Sequence, residues 1–202
     1  MNLRLFVALE CPEPVRRRLA ALQGEMRRSA GRAGAEVRWV APENVHLTLQ
    51  FLGAVPEERV EDVKAAVARA AAGSRPLRLE IRGAGGFPSG RRPRVLWAGL
   101  TGDLEPLAEL VAALGRQLAP LGYPAEERRF SAHLTLGRAR DARGAPGLGA
   151  AVAGAAAFEG PSWRVGRVAL IQSLLSPTGA RYEALARLPL GSGPEPDDPG
   201  PG

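Results

Sequence analysis

The two histidines of this 202-residue chain, His46 and His133, each begin the tetrapeptide His-Leu-Thr-Leu. Two threonines, Thr48 and Thr135, therefore follow them at the same distance. Side chains alternate between the two faces of a β-strand, so each copy would place an imidazole and a hydroxyl on one face and two leucines on the other. If the two strands lie side by side, four polar groups meet at one cleft. Two imidazoles can move protons and two hydroxyls can hold phosphate oxygens, which predicts acid–base chemistry on a phosphate.

The competing interpretation is that both histidines are structural. A single histidine in an apolar strand more often makes a structural hydrogen bond than it takes part in catalysis. A structural explanation would need two independent reasons for the same scarce residues at the same spacing, whereas a symmetric active site needs only one. The repetition therefore favours His46, Thr48, His133 and Thr135 as catalytic residues.

The composition limits the class of protein. The charged fraction of 24% is typical of a globular chain, and the length suffices for one core or two small lobes. The sequence contains no run of eighteen apolar residues, so we predict no transmembrane helix. The apolar stretch 1–9 is too short for a signal peptide and is followed by Glu10 and a proline-marked helix start, so we predict no signal peptide. A single cysteine, Cys11, excludes an internal disulfide and a cysteine-based zinc site and favours the cytoplasm. The net charge of +6 suggests an anionic partner, although arginine enrichment throughout the chain weakens that inference.

Strands and helices alternate in a pattern that predicts an α+β fold. We expect two pseudo-symmetric lobes whose antiparallel sheets line a central cleft, with the helices outside. Residues 1–190 would form one bilobal domain, and residues 191–202, rich in glycine, proline and acidic residues, a disordered tail. The predicted strands are 3–9, 37–40, 46–52, 77–82, 95–100, 133–138, 163–175 and 181–188, and the predicted helices are 12–29, 57–72 and 104–118.

A glycine-rich, basic stretch, residues 83–94, predicts a surface loop. One interpretation makes it a rim that contacts phosphates through Arg91 and Arg92, with Phe87 as a platform for a base. The other makes it a long exposed hairpin connection. Trp97, on the strand that follows, is expected in the core.

The two His-x-Thr-x motifs, in separate halves of the chain, resemble those of the 2H phosphoesterases. Within that superfamily the chain looks like the bacterial and archaeal RNA 2′,3′-cyclic phosphodiesterases, historically called 2′–5′ RNA ligases. One departure is Ser131-Ala132 before His133, where the family often has a proline. The segments that carry the resemblance are 4–9, 38–40, 42–49, 87–89, 93–99, 134–138 and 180–182.

The resemblance implies hydrolysis of RNA 2′,3′-cyclic phosphate ends to 2′-phosphomonoesters, without a metal or other cofactor. His46 would donate a proton to the 3′ oxygen and His133 would accept one from water, an order that the residues alone do not decide. The partner would be RNA, with tRNA fragments and their reverse ligation as possibilities, and the protein would be a monomer that does not associate with membranes. Arg138 would bind phosphate only if the strand alternation drifts at Gly137, because strict alternation puts it on the leucine face.

Two alternatives remain open from the sequence. One is an RNA-binding protein with little turnover, which the basic loop favours. The other keeps the site but changes the substrate to a small cyclic phosphate or a 2′–5′ oligonucleotide. A metal-dependent hydrolase is disfavoured, since two histidines and one cysteine offer few ligands.

Overall fold

A computed structural model describes residues 1–126, 129–141, 146–176 and 179–191. Its helices and strands alternate along the chain as the hydrophobic pattern predicts, with short 3₁₀ turns between several of them. The strands are β1 (Asn2–Glu10), β2 (Val37–Trp39), β3 (His46–Pro56), β4 (Leu77–Phe87), β5 (Val95–Gly102), β6 (His133–Ala139), β7 (Glu159–Val165), β8 (Arg167–Ser176) and β9 (Gly179–Pro189); the helices are α1 (Glu13–Ala30), α2 (Val60–Ala72), α3 (Leu104–Leu118) and α4 (Gly149–Gly154).

The strands form two antiparallel sheets. The first sheet has the order β3-β1-β8-β9, and the second has the order β2-β6-β5-β4-β7. Helices α2 and α3 pack against each other and against the first sheet, while α1 packs on α4 and β7. The α+β prediction is therefore confirmed, with one His-Leu-Thr-Leu strand in each sheet.

The sheets do not correspond to the two halves of the sequence. The first sheet takes β1 and β3 from the N-terminal part and β8 and β9 from the C-terminal part. The predicted single strand 163–175 is wrong for this reason: the chain leaves the second sheet at Val165 and enters the first at Arg167. Both segments alternate, so their pattern does not reveal that Gly166 separates two sheets.

One apolar core collects residues from both sheets and all four helices. The leucines of the two repeated motifs are buried in it, which leaves the histidine faces of β3 and β6 turned away from the core. Helix α1 contributes a stripe at helical spacing, formed by Val15, Leu19, Leu22 and Met26. The strands that carry the motifs are thus anchored through their leucines.

The predicted loop at 83–94 is wrong for its first half, because β4 runs on to Phe87. Gly85 lies directly opposite Trp97 on β5, and a Cβ atom at that position would overlap the Trp97 ring. The glycine therefore makes room for an indole rather than a turn. Trp97 is only partly buried and stands opposite Thr135, so it belongs to the histidine face of the second sheet. The prediction that Trp97 lies in the core is therefore wrong.

The predicted domain boundary falls close to the end of the described part of the chain. The amide of Gly191 donates hydrogen bonds to the carbonyls of Ala71 and Ser74, so this residue is attached to α2 and the turn after it. The rest of the predicted tail, 192–202, lies outside the described residues. No helix in the described ranges is long and apolar enough to cross a membrane.

Candidate active site

The two repeated motifs meet at one cavity although their strands belong to different sheets. His46 and His133, each the first residue of its strand, line a cavity of about 240 Å³ together with Thr48 and Thr135. We call it the histidine cavity. A larger cleft of about 1010 Å³, the outer cleft, adjoins it and shares His133 and both threonines. The structure thus brings together the four residues that the repetition singled out.

Both histidine rings are held in the same way. The Nδ1 atom of His46 lies 2.8 Å from the carbonyl oxygen of Asn44, and Nδ1 of His133 lies 2.7 Å from that of Ser131. A carbonyl oxygen can only accept, so in each ring Nδ1 carries the hydrogen and donates it. Each Nε2 is left to exchange protons in the cavity, and that of His46 lies 3.1 Å from the Thr48 hydroxyl.

The aromatic surroundings of the two rings differ. His46 lies between Phe6, with ring centroids 4.7 Å apart, and the edge-on ring of Tyr182 at 5.1 Å. Phe87 meets His133 edge-on at 5.2 Å. Burial lowers the pKa of His46 below its ordinary value, although the Asn44 carbonyl and the charge of Glu10 oppose the shift. The free protein therefore favours a neutral His46.

A bulge follows the threonine in both motifs. On β3, Thr48 pairs with Ala8 and Gln50 with Val7, so Leu49 has no partner of its own. On β6, Thr135 pairs with Trp97 and Gly137 with Leu96, so one residue is again skipped. Each bulge shifts the alternation by one place. The residue five positions after each histidine therefore joins the histidine face.

These two residues are Phe51 and Arg138, and both line the histidine cavity and the outer cleft. The bulge on β6 shifts the strand alternation next to Gly137. From the sequence, such a shift is required for Arg138 to share the face of His133 and Thr135. Phe51 was missed, although it is 55% exposed. The signal that could have found it is its spacing, which is the same as that of Arg138. One motif thus adds an aromatic ring to the site and the other adds a cation.

Two buried glutamines support the bulged strands. Gln23 of α1 donates from Nε2 to the carbonyls of Val40, at 2.7 Å, and Leu136, at 2.8 Å, so it ties the skipped residue of β6 to the end of β2. Gln50 donates to the carbonyls of Tyr123 and Pro124, at 3.0 and 3.2 Å, and so fixes the segment that begins one wall of the outer cleft. Neither glutamine was expected from the sequence.

The predicted basic rim is placed differently in the structure. Phe87 lines the outer cleft, but Arg91 and Arg92 are not among the described residues that line it. The backbone carbonyl of Arg91 instead lies near Gly149 at the start of α4. Arg94, at the end of the same connection, and Arg129 line the outer cleft together with Arg138 and supply its cations. The loop therefore reaches the cleft through its two ends.

A metal site was not expected, and the described ranges contain no group of three His, Cys, Asp or Glu side chains that could hold a metal ion. Cys11 is buried, and burial raises the pKa of its thiol to about 12, so it is held as a neutral thiol.

Comparison with known proteins gives a consistent result. A family model described as LigT like phosphoesterase matches residues 9–97 and 101–182. An RNA 2′,3′-cyclic phosphodiesterase of Methanothermobacter thermautotrophicus is 33% identical over 182 residues, which cover 90% of this chain and 96% of that protein. One from Thermus thermophilus is 35% identical over 196 residues, covering 93% and 90%. The crystal structure of E. coli LigT complexed with 3′-AMP matches with a TM-score of 0.75 and 27% identity, covering 95% and 100% of the two chains.

Proposed function

The chain belongs to the LigT-like phosphoesterase family, and on that premise we propose that it hydrolyses the 2′,3′-cyclic phosphate ends of RNA to 2′-phosphomonoesters. The observation that carries the proposal is that both histidines line one cavity, together with the threonine of each motif. In each ring Nδ1 is bound to a backbone carbonyl, so Nε2 can exchange a proton with a ligand in that cavity. The relatives named as RNA 2′,3′-cyclic phosphodiesterases support the substrate class.

The proposed reaction needs one proton removed and one supplied. His133 Nε2 takes a proton from the attacking water, a new bond forms between the water oxygen and phosphorus, and the bond from phosphorus to the 3′ oxygen breaks. His46 Nε2 gives its proton to that oxygen, so the products are a 2′-phosphate and a 3′-hydroxyl. The negative phosphodiester favours the protonated form of His46 in the complex, which offsets the lowering of its pKa by burial.

The remaining groups of the site have separate roles in this proposal. The hydroxyls of Thr48 and Thr135 donate to the non-bridging oxygens, where negative charge develops, and Arg138 pairs with the same phosphate. Phe51 and Phe87 offer ring faces against which the terminal base can stack. The cations of Arg94 and Arg129 line the path that the rest of the RNA would follow.

The same groups can act on the cyclic phosphate with a different nucleophile. A 5′-hydroxyl in the place of the water would give a 2′–5′ linkage, with His133 again accepting the proton. We therefore include ligation of RNA ends, such as those of tRNA halves, in the proposed chemistry. We also propose a cytoplasmic location, since a single buried cysteine suits a reducing compartment. The proposed oligomeric state is a monomer.

The test is incubation with an RNA oligonucleotide that ends in a 2′,3′-cyclic phosphate, in EDTA, with products compared against synthetic 2′- and 3′-phosphate standards. We expect the 2′-phosphomonoester alone. A 3′-phosphomonoester would contradict the assignment of the leaving oxygen. Loss of activity in EDTA that a divalent cation restores would contradict the metal-free mechanism. RNA that binds without conversion would favour the RNA-binding alternative, and conversion of small cyclic phosphates alone would change the substrate.

A further inference from the structure

Arg4 is a cation at the histidine cavity that the proposed mechanism does not use. On β1, Leu5 and Val7 point into the core, while Phe6 and Ala8 belong to a small separate cluster beside His46. Alternation places Arg4 on the same face as Phe6. Arg4 lines the histidine cavity with both histidines and with Ser173 of β8.

The cavity is suited to more than one negative charge. Its lining includes two arginines, Arg4 from the first sheet and Arg138 from the second, and none of the described residues that line it is an aspartate or glutamate. Neighbouring arginines of the first sheet are neutralised: Arg187 pairs with Glu10 at 2.7 Å and Arg181 with Glu183 at 3.0 Å. Arg4 makes no ion pair or side-chain hydrogen bond with the residues that the structure describes. Its charge is therefore available to a ligand.

The size of the cavity indicates which part of a nucleotide it can hold. Its volume of about 240 Å³ equals that of roughly eight water molecules. That space accommodates phosphate groups and part of a ribose, while a base has room in the outer cleft beside Phe51 and Phe87. Of the anions in RNA, the one nearest to the terminal cyclic phosphate is the phosphate attached to the 5′ oxygen of the same ribose.

We propose that Arg4, with the Ser173 hydroxyl, forms a second phosphate subsite that holds the 5′ phosphate of the terminal nucleotide. The proposal rests on the proposed function, because the cyclic phosphate must first occupy the two histidines and Arg138. The subsite makes the enzyme selective for ends that carry a 5′ phosphate, either as a free monoester or as the phosphodiester of an RNA chain. A nucleoside cyclic phosphate with a free 5′-hydroxyl leaves Arg4 without a partner.

The experiment compares three substrates with one base: adenosine 2′,3′-cyclic phosphate, the same compound with a 5′ phosphate, and the dinucleotide ApA ending in a 2′,3′-cyclic phosphate. For the wild-type protein we expect kcat/KM to be about tenfold higher with the 5′ phosphate, the scale of one partly exposed charged hydrogen bond. In Arg4→Gln we expect that ratio to fall towards one. Arg4→Lys, which keeps the charge, should retain an intermediate ratio.

Arg167→Gln is the matched control. Arg167 lies on the same face of the same sheet, six positions before Ser173 on β8 and therefore roughly 20 Å away along the strand. Arg167 does not line the histidine cavity. Removing its charge should therefore leave the ratio of kcat/KM with and without the 5′ phosphate unchanged. An equal fall in Arg167→Gln would show that general charge, and not a subsite, governs the preference.

The outcomes separate this proposal from the proposed function. If the wild-type protein converts none of the three substrates, the proposed function itself fails. If it converts all three at equal kcat/KM, or if Arg4→Gln keeps the full preference, only the second subsite is overturned. A preference for the dinucleotide without one for the free 5′ phosphate would move the selectivity to the second base in the outer cleft and would equally overturn the assignment to Arg4.

Discussion

At the scale of single residues, the chemistry depends on which nitrogen of each imidazole faces the cavity. In both motifs the carbonyl two residues before the histidine accepts from Nδ1, so the tautomer is set by the backbone that enters the strand. For His133 that carbonyl belongs to Ser131, in the segment where the family often has proline. The departure therefore leaves the accepting carbonyl in place. Burial lowers the pKa of His46 below its ordinary value.

That lowered pKa predicts the pH dependence. A histidine acid–base pair gives a bell-shaped dependence of kcat/KM on pH, and each limb reports one group of the free enzyme. Because the pKa of His46 is below 6.5, its imidazole changes protonation as the pH passes through a value below 6.5. We expect one of the two midpoints there, measured on a cyclic-phosphate RNA with folding checked at each pH. Activity that is flat between about pH 5 and 8 would contradict the pair, and two midpoints above 6.5 would contradict the burial effect.

The threonine hydroxyls make a second prediction at this scale. Thr48→Val and Thr135→Val keep the shape of each side chain but remove the donor, so we expect kcat to fall by about 10²–10³-fold in each, the scale of an oxyanion donor. Thr101→Val is the control, because Thr101 lies on β5 outside both cavities. The measurement is the steady-state kcat of the three variants. If Thr48→Val or Thr135→Val keeps the wild-type kcat, the hydroxyl of that threonine has no part in the mechanism.

At the scale of elements, the bulges decide what joins the site. The sequence alone predicted the two motif strands and the shared face of each histidine and threonine, because alternation is a local property. It did not predict that Phe51 and Arg138 turn to that face, since a bulge depends on the partner strand. Gly85 was misassigned to a loop for a similar reason: the indole that needs its missing Cβ comes from a different strand.

Gln23 supplies a prediction for these elements. In Gln23→Met the apolar side chain leaves the carbonyl of Val40 without that donor, while the carbonyl of Leu136, the skipped residue of β6, loses the Gln23 amide and keeps the hydrogen bond from the Val40 backbone amide. We expect unfolding in urea to show a loss of about 1–3 kcal/mol, the cost of a buried polar group left unpaired. We also expect a lower kcat/KM in the folded protein, because the bulge positions Arg138.

Gln117→Met is the comparison for that variant. Gln117 accepts a hydrogen bond from Arg69 at 2.9 Å in an exposed setting, so its loss should change stability by less than about 0.5 kcal/mol. If Gln23→Met and Gln117→Met behave alike in both assays, Gln23 has no special part in holding the strand.

At the scale of the whole molecule, the fold places two copies of one motif on two sheets that face a common cavity. The fold class could be predicted because the apolar periods of strands and helices are visible in the sequence. The pairing could not, since it joins strands from opposite ends of the chain, as β1 does with β8. The pseudo-symmetry is therefore one of motifs and bulges, while the sheets themselves are assembled from interleaved segments of the sequence.

The central claim is that both histidines act on one phosphate, and single-turnover hydrolysis of a cyclic-phosphate RNA by His46→Ala, His133→Ala and the double variant tests it most directly. Residues that act as a unit are non-additive, so we expect each single variant to lose nearly as much rate as the double variant, with RNA still bound. If either single variant keeps the wild-type rate, or if the losses simply multiply, the two histidines do not work as one acid–base pair.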